Sequence, residues 1–168
     1  GDRLTVPEGF APLIERRMAQ EPVAYIIGYR DFWTIRLSVG PGVLIPRPDS
    51  ETLIEAAQAH FPETTAPLRI LDLGTGPGTL LLAVLSEFPE AHGLGIDASD
   101  AALDYARANA EALGLAARAV FRAGDWAAGL HGLFDLILCN PPYVESDAVL
   151  DRQVTDFEPA GALFAGPE

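Results

Sequence analysis

The sequence contains no lysine, so its positive side-chain charge comes from 11 arginines, which stand against 24 aspartates and glutamates. The resulting net charge is -13. Nucleic-acid binding needs clustered positive charge to displace phosphate counterions, and anionic membrane surfaces attract basic segments. The charge balance therefore argues against both, and we expect neither a direct nucleic-acid partner nor a membrane partner.

Cysteine and histidine are also scarce. A single cysteine, Cys139, excludes a disulfide framework within the chain and fits a reducing compartment, so we expect a cytoplasmic protein. The histidines are His60, His92 and His131, and their wide spacing forms no metal-ligand pattern. We therefore expect no metal centre.

Long apolar runs are missing as well. No stretch of this sequence is long enough to span a bilayer, and we expect no signal peptide. Of the 168 residues, 49% are hydrophobic and 21% charged, a composition typical of one globular domain with a buried core. Because the chain starts at Gly1 and not at methionine, we expect a fragment of a longer protein.

The first part of the chain predicts a helix, a hairpin and a second helix. Residues 1–22 are typical of the end of a helical segment, and residues 24–39 predict a β-hairpin. The helix that follows is capped by Asp49 or Ser50 and ends near Phe61. In the hairpin, the alternation of side chains predicts one apolar face, made of Trp33, Ile35, Leu37 and Val39.

After residue 67 the pattern changes to strands that alternate with helices. Apolar runs predict strands at 68–73, 92–97, 117–122 and 134–139, and Ser99 caps one of the intervening helices. The alternation indicates an α/β fold, a Rossmann-like parallel sheet with helices on both faces. No strand is predicted beyond the fourth, which leaves an apolar sheet edge of the kind that native proteins avoid. We expect that further C-terminal strands of the native domain are absent, or that a partner chain covers this edge.

A glycine-rich turn follows the first of these strands, at the sheet edge where open α/β folds bind ligands. Its third glycine comes too early for a dinucleotide loop, because Thr79 stands at the G-x-G-x-x-G position, and the lysine of a P-loop is missing. Glycines here let a ligand approach the backbone closely. The turn consists of Gly74, Thr75, Gly76, Pro77 and Gly78.

Acidic and aromatic residues end the next two strands. Asp97 ends the second strand, where a carboxylate can accept hydrogen bonds from both hydroxyls of a ribose. After the third strand, Asp125 can bond an adenine amino group and Trp126 can pack on its ring. Together with the glycine-rich turn, these residues indicate a nucleoside-containing cofactor. The alternative is a plain βα turn beside an exposed acid.

The segment Asn140-Pro141-Pro142-Tyr143 directly follows the fourth strand. Two prolines stiffen it and remove two backbone donors, so its carbonyls are free of competing N–H groups. The Asn140 side-chain oxygen and the Pro141 carbonyl can hold the two N–H bonds of an amino group, and Tyr143 can stack on the flat group that carries it. The alternative is a rigid proline turn with no chemistry.

These motifs resemble those of class I S-adenosylmethionine-dependent methyltransferases, in which "DLGTGPG", "GID" and "NPPY" occur in this order. "NPPY" is shared by methyltransferases of adenine in nucleic acid and of glutamine amides in protein. The stretches "PVAYIIG", "FW" and "LIPRPDSE" resemble the protein-(glutamine-N5) methyltransferases that act on class-1 peptide chain release factors. The resemblance implies methylation of the glutamine in a Gly-Gly-Gln motif of these factors, with S-adenosylhomocysteine as the second product and no metal.

The resemblance also implies a role for each site residue. The glycine-rich turn wraps the methionine part of the cofactor, Asp97 holds the ribose, and Asp125 and Trp126 flank the adenine. Asn140 also contacts the cofactor, and Phe32 from the hairpin helps form the substrate pocket. Asn140, Pro141, Pro142 and Tyr143 bind the glutamine amide, and three of them are implied to be catalytic: Asn140, Pro141 and Tyr143.

The same resemblance divides the chain into three parts. Residues 1–22 are the remnant of an N-terminal helical domain, residues 23–47 a β-hairpin linker, and residues 48–168 a methyltransferase domain that is incomplete at its C-terminal end. Two alternatives stay open. One is an adenine-N6 methyltransferase of DNA or RNA, and the other is an inactive fragment that binds the cofactor.

Three further polar residues carry weaker expectations. We expect Arg47 to form a structural ion pair and Glu158, with the proline after it, to form a structural turn near the rim of the site. Asp72 either faces the ammonium group of the cofactor through water or caps the loop at the end of its strand.

Overall fold

A computed structural model describes residues 7–62 and 65–165 of the protein. Its α-helices flank a parallel sheet, and short 3-10 turns occur in two of the loops. The helices are α1 (Phe10–Met18), α2 (Val23–Ile27), α3 (Glu51–His60), α4 (Thr79–Glu87), α5 (Asp100–Ala112) and α6 (Arg152–Thr155), and the 3-10 turns are Pro48–Ser50 and Ala160–Ala162.

The strands form an antiparallel hairpin and a separate parallel sheet. The hairpin consists of β1 (Tyr29–Phe32) and β2 (Ile35–Ser38), and the sheet of β3 (Arg69–Leu73), β4 (His92–Asp97), β5 (Ala119–Ala123) and β6 (Leu136–Cys139). The order of strands in the sheet is β5-β4-β3-β6. This architecture confirms the predicted α/β fold. β4 has the predicted bounds, whereas β5 begins later than predicted because residues 116–118 form a turn.

The core lies where α4 packs on the sheet. Each residue from Leu80 to Leu85 is buried, and these residues join the side chains of β3 and α3 in one cluster. Gly93 in β4 allows the close approach, because a Cβ atom there would lie 2.3 Å from the Cδ1 atom of Leu81. Because α4 packs closely on the sheet, the position of the glycine-rich turn that precedes it is fixed.

Helix α5 begins at the cap that the sequence predicts. The Ser99 hydroxyl accepts a hydrogen bond of 3.3 Å from the Ala102 backbone amide, which confirms the predicted cap. Gly114 adopts a φ of 71° just beyond the helix, a conformation that suits glycine. Because the cap lies directly after β4, it sets the path of the chain beside Asp97.

The hairpin is shorter than predicted. The prediction of strand from residue 24 is wrong, because Val23–Ile27 forms α2 and Gly28 ends it with a φ of 82°. Ile35, Leu37 and Val39 are buried as expected. Trp33 lies in the turn between the strands with a φ of 52° and packs, partly buried, against the same core cluster as Ile35 and Leu37.

The chain after β6 returns towards the sheet without forming another named strand among the described residues. Val144 makes a single parallel bridge with Phe164, and α6 contacts α1 through a 2.7 Å hydrogen bond from Arg17 to Gln153. β6 is therefore an edge of the described sheet, and Ile137 is 58% exposed. None of the helices in residues 7–62 and 65–165 is long and apolar enough to cross a membrane.

The structure does not test the three-part division of the chain. Residues 1–6 of the predicted N-terminal remnant lie outside the described residues. The same holds for residues 63–64 and 166–168 of the predicted methyltransferase domain. The boundaries at residues 22 and 47 stay predictions.

Candidate active site

The carboxyl ends of the four parallel strands open into one cavity of about 430 Å³, a size typical of small-molecule sites. The predicted cofactor residues reach it from three strand ends, and the opposite wall comes from the loop after the hairpin and from the C-terminal segment. Of the predicted site residues, the cavity is lined by Gly74, Thr75, Gly76, Pro77, Asp97, Asp125, Trp126, Asn140 and Pro142.

The glycine-rich turn is held by its backbone and has left-handed conformations at all three glycines. Gly74, Gly76 and Gly78 have φ values of 69°, 56° and 85°. The amides of Gly74 and Thr75 both donate to the Ile96 carbonyl oxygen, at 2.9 and 3.0 Å. Gly78 does not line the cavity. A Cβ atom there would lie 2.7 Å from Leu82 Cδ1, so this glycine serves the packing of α4.

The Asp97 carboxylate joins the glycine-rich turn to the start of α5. Its Oδ2 atom accepts from the Gly76 amide at 2.8 Å, and its Oδ1 atom accepts from the Ser99 amide at 2.9 Å. These bonds fix both oxygens at the cavity wall. Since each carboxylate oxygen has two acceptor positions, one remains on each for a vicinal pair of hydroxyls.

Asp72 is the buried acid of the site, with 1% exposure. Its Oδ2 atom accepts from the Thr75 hydroxyl at 2.7 Å and from the Leu81 amide at 3.2 Å. Asp72 therefore caps the loop, which is one of its two predicted roles. Its Oδ1 atom is buried without a hydrogen-bond partner, although the residue lines the cavity. Burial raises the pKa of this carboxyl to about 7. An unpartnered acceptor of this kind suits a cationic donor such as an ammonium group.

Asp125 and Trp126 form the end of the cavity beyond β5. The indole lies close to the glycine-rich turn, because a Cβ atom on Gly74 would be 3.7 Å from Trp126 Cζ3. Trp126 has a φ of 48°. It is 45% exposed, so its ring is partly open to solvent. A flat aromatic ring can pack on the free part of this indole.

The Asn-Pro-Pro-Tyr segment contributes two of its four residues to the cavity wall, Asn140 and Pro142. The Asn140 Nδ2 atom donates to the Ser50 hydroxyl oxygen at 3.3 Å. Pro141 and Tyr143 are not among the described lining residues, and Tyr143 is 74% exposed. The structure therefore brings the amide of Asn140 to the site but leaves the Tyr143 ring outside it.

Phe32 lies in the hydrophobic core. It is 2% exposed and packs with Leu37 and Ile54, and it is not among the described residues that line the cavity. Its expected role in the substrate pocket stays a prediction. The loop after β2 reaches the cavity instead, through Gly42, Val43, Leu44 and Pro46.

An ion pair between a half-buried arginine and a buried glutamate supports the wall opposite the sheet. The Arg47 guanidinium lies 2.7 Å from Glu158 Oε1, which confirms the predicted pair. Glu158 is 6% exposed, and its Oε2 atom accepts from the Ile45 amide at 3.0 Å. Pro159 lines the cavity, so the predicted turn near the rim is also confirmed. The sequence signal was an acid inside an otherwise apolar stretch, "FEPAGALF".

Sequence reasoning missed Ser50 and Asn109 as parts of the site's support. Asn109 is 1% exposed, on the face of α5 that carries Ala102, Ala106 and Ala110. A polar side chain on an apolar helix face was the available signal. The sequence predicts Asp49 or Ser50 as the cap of α3, but Ser50 makes no capping bond and contacts Asn140 instead.

Comparison with known proteins agrees with this geometry. A family model described as a methyltransferase domain matches residues 65–161. The release factor glutamine methyltransferase of Rhodospirillum rubrum is 48% identical in an alignment of 172 positions that covers 99% of this chain and 52% of that protein. That of Escherichia coli is 43% identical over 155 residues, covering 91% of this chain and 55% of that protein. The chain thus spans about half the length of the curated relatives it matches.

A solved structure adds support for the fold alone. The human methyltransferase 10 domain containing protein has a TM-score of 0.53 and 20% identity, over 66% of this chain and 56% of that chain. The family model covers more than half of the sequence, and its match spans the strand ends that build the cavity. The chain therefore belongs to the methyltransferase domain family, and within it the chain is similar to the release factor glutamine methyltransferases.

Proposed function

We propose that the protein containing this chain transfers a methyl group from S-adenosylmethionine to a glutamine side-chain amide of class-1 peptide chain release factors. The target is the glutamine of the Gly-Gly-Gln motif. The observation that carries the proposal is the position of Asn140, whose amide lines the same cavity as the glycine-rich turn and Asp97. The names of the similar proteins supply the choice of a glutamine amide as the acceptor.

The residues at the strand ends fit S-adenosylmethionine group by group. The open backbone at Gly74 and Gly76 would adjoin its methionine part, and the unpartnered Oδ1 atom of Asp72 would face its ammonium group. The Asp97 oxygens would accept the ribose hydroxyls. Asp125 and Trp126 would hold the adenine between a hydrogen-bond acceptor and an indole face.

This cofactor would supply a methyl group bound to a sulfonium sulfur, and loss of the methyl group would leave a neutral thioether. The protein has to orient the acceptor nitrogen. The Asn140 side-chain oxygen and the Pro141 carbonyl would accept its two N–H bonds, which leaves one direction open towards the methyl group. The methylated nitrogen then loses one proton to water, so no general base is required for the attack. Orientation and exclusion of water account for the rate.

Tyr143 would have to turn towards the cavity when the glutamine side chain enters, because its ring is now largely exposed. Stacking of the ring on the flat amide would hold the acceptor in the plane that Asn140 defines. A release factor supplies the entire substrate loop, so its docking is the event that would cover the ring. The proposed reaction belongs to translation termination, and we place it in the cytoplasm.

We assign residues 48–168 to the methyltransferase domain and residues 23–47 to a hairpin that supports its substrate side. Two contacts support the second assignment. The loop after β2 lines the cavity through Gly42 and Val43, and Asn109 of α5 binds the backbone of Ser38. Residues 1–22 are assigned to a preceding helical unit, of which α1 is the described part.

A labelled-methyl transfer assay tests the proposal. The full-length protein is incubated with S-adenosylmethionine labelled in its methyl group and with one of three acceptors. These are a class-1 release factor, the same factor with alanine in place of the Gly-Gly-Gln glutamine, and a DNA duplex that contains adenine. We expect label in the first acceptor alone. Label in the DNA and none in the release factor would overturn the proposal in favour of adenine methylation.

A further inference from the structure

Ser50 and Asn140 contact each other at the cavity wall, although they lie far apart in the sequence. Ser50 ends the 3-10 turn Pro48–Ser50, and Asn140 follows β6. The Asn140 Nδ2 atom donates to the Ser50 hydroxyl oxygen at 3.3 Å, and both residues line the cavity. Among the described residues, the serine hydroxyl is thus the polar group that holds the asparagine side chain.

We propose that Ser50 is a positioning residue that sets the plane of the Asn140 amide for the incoming N–H donor. The inference rests on the proposed function. The terminal torsion of an asparagine side chain has a broad energy minimum, so the amide plane is set by its partners. Because Nδ2 is bound by the hydroxyl, the carbonyl oxygen on the other branch of the amide stays free to accept from the substrate.

The loop that carries Ser50 is itself held rigidly. The Glu158 carboxylate accepts from the Ile45 amide at 3.0 Å and pairs with Arg47 at 2.7 Å, on one side of the serine. On the other side, Glu51 accepts from the Trp33 amide at 2.9 Å. Since the backbone is anchored before and after Ser50, the position of its hydroxyl is determined by the fold and not by the substrate.

The hydroxyl is the part of Ser50 that contacts Asn140, at 3.3 Å. Threonine would keep the hydroxyl group, whereas alanine would remove it. The two substitutions therefore separate the function of the hydroxyl from the presence of a side chain at this position.

Steady-state kinetics with a class-1 release factor test the role in the full-length protein. We expect Ser50→Ala to lower kcat about tenfold, the effect of one lost hydrogen bond, while the Kd for S-adenosylmethionine and the unfolding midpoint stay unchanged. Ser50→Thr should restore kcat to within about threefold of the wild-type value. Thr52→Ala is the matched control, because the Thr52 hydroxyl bonds only the nearby Asp49 carbonyl oxygen, among the described contacts.

A second measurement does not depend on the reaction. Labelling of the full-length protein with ¹⁵N-asparagine limits the spectrum to asparagine signals, and the pair lost in Asn140→Ala is assigned to Asn140. The other asparagine of this chain is Asn109. We expect Ser50→Ala to shift the Asn140 Nδ2 signals and leave those of Asn109 in place. An unchanged kcat in Ser50→Ala, or unchanged Asn140 signals, would overturn the inference. Absence of methyl transfer by the wild-type protein would instead refute the proposed function.

Discussion

The side-chain amide of Asn109 donates a 2.9 Å hydrogen bond to the carbonyl oxygen of Pro77. The same side chain accepts from the Ser38 amide at 2.7 Å and donates to the Ser38 carbonyl oxygen at 3.2 Å. One buried residue of α5 therefore joins the glycine-rich turn to the hairpin. The hairpin is in this way attached to the turn proposed to bind the cofactor.

Replacement of Asn109 by alanine should destabilise the fold. The substitution leaves the Pro77 carbonyl oxygen buried without its partner, at a cost of about 1–3 kcal/mol for such a group, and removes the partly buried bonds to the Ser38 backbone. Urea unfolding followed by circular dichroism measures the change. Glu111→Ala on the exposed side of the same helix is the control and should stay within about 0.5 kcal/mol of the wild-type value. Equal stabilities of the two variants would contradict the linking role.

Asp97→Ala should weaken cofactor binding. It removes the proposed acceptor of the ribose hydroxyls, and hydrogen bonds to a charged group contribute about 1.5–3 kcal/mol each. It also frees the Gly76 amide, so the turn loses part of its order. Calorimetric titration with S-adenosylmethionine should therefore show a Kd raised by at least about tenfold. Asp100→Ala, an exposed acid nearby, controls for the loss of charge, and an effect as large as that of Asp97→Ala would refute the ribose assignment.

The buried Asp72 carboxyl should make stability fall with rising pH. Its pKa is raised to about 7 from the ordinary 3.8, so between these values the native state keeps a proton that the unfolded state has lost. Stability then decreases by up to about 1.4 kcal/mol per pH unit over this window and levels off above it. Asp72→Asn removes this titration. Unfolding of both proteins from pH 4 to pH 8 should give a wild-type slope that the variant lacks, and parallel curves would contradict the burial argument.

Several elements could be predicted from sequence because their causes are local. The apolar run that forms β4 and the Ser99 cap each depend on neighbouring residues. Local periodicity, capping and turn chemistry are therefore enough to place them. The same reasoning correctly predicted that Asn140, which follows the fourth strand, lies at the ligand-binding edge of the sheet.

The remaining features depend on contacts between distant parts of the chain. The β-branched stretch at Val23–Ile27 reads as a strand, but it is helical because Gly28 ends it and the Tyr25 hydroxyl binds the Val43 carbonyl oxygen. Phe32 faces the core because of how the hairpin packs on α4 and α3. The pairing of Ser50 with Asn140 has no local signal, since it joins segments that meet only in the folded protein.

The central claim is that Asn140 orients a glutamine amide of a release factor for methyl transfer. Tandem mass spectrometry of a class-1 release factor, digested after incubation with the full-length protein and S-adenosylmethionine, tests it most directly. We expect one added methyl on the Gly-Gly-Gln glutamine with the wild-type protein. With Asn140→Ala we expect methyl transfer to slow by the loss of about 2–4 kcal/mol of transition-state stabilisation, while cofactor affinity changes far less. Methylation by Asn140→Ala at the wild-type rate, or a methyl at another residue, would refute this role of Asn140.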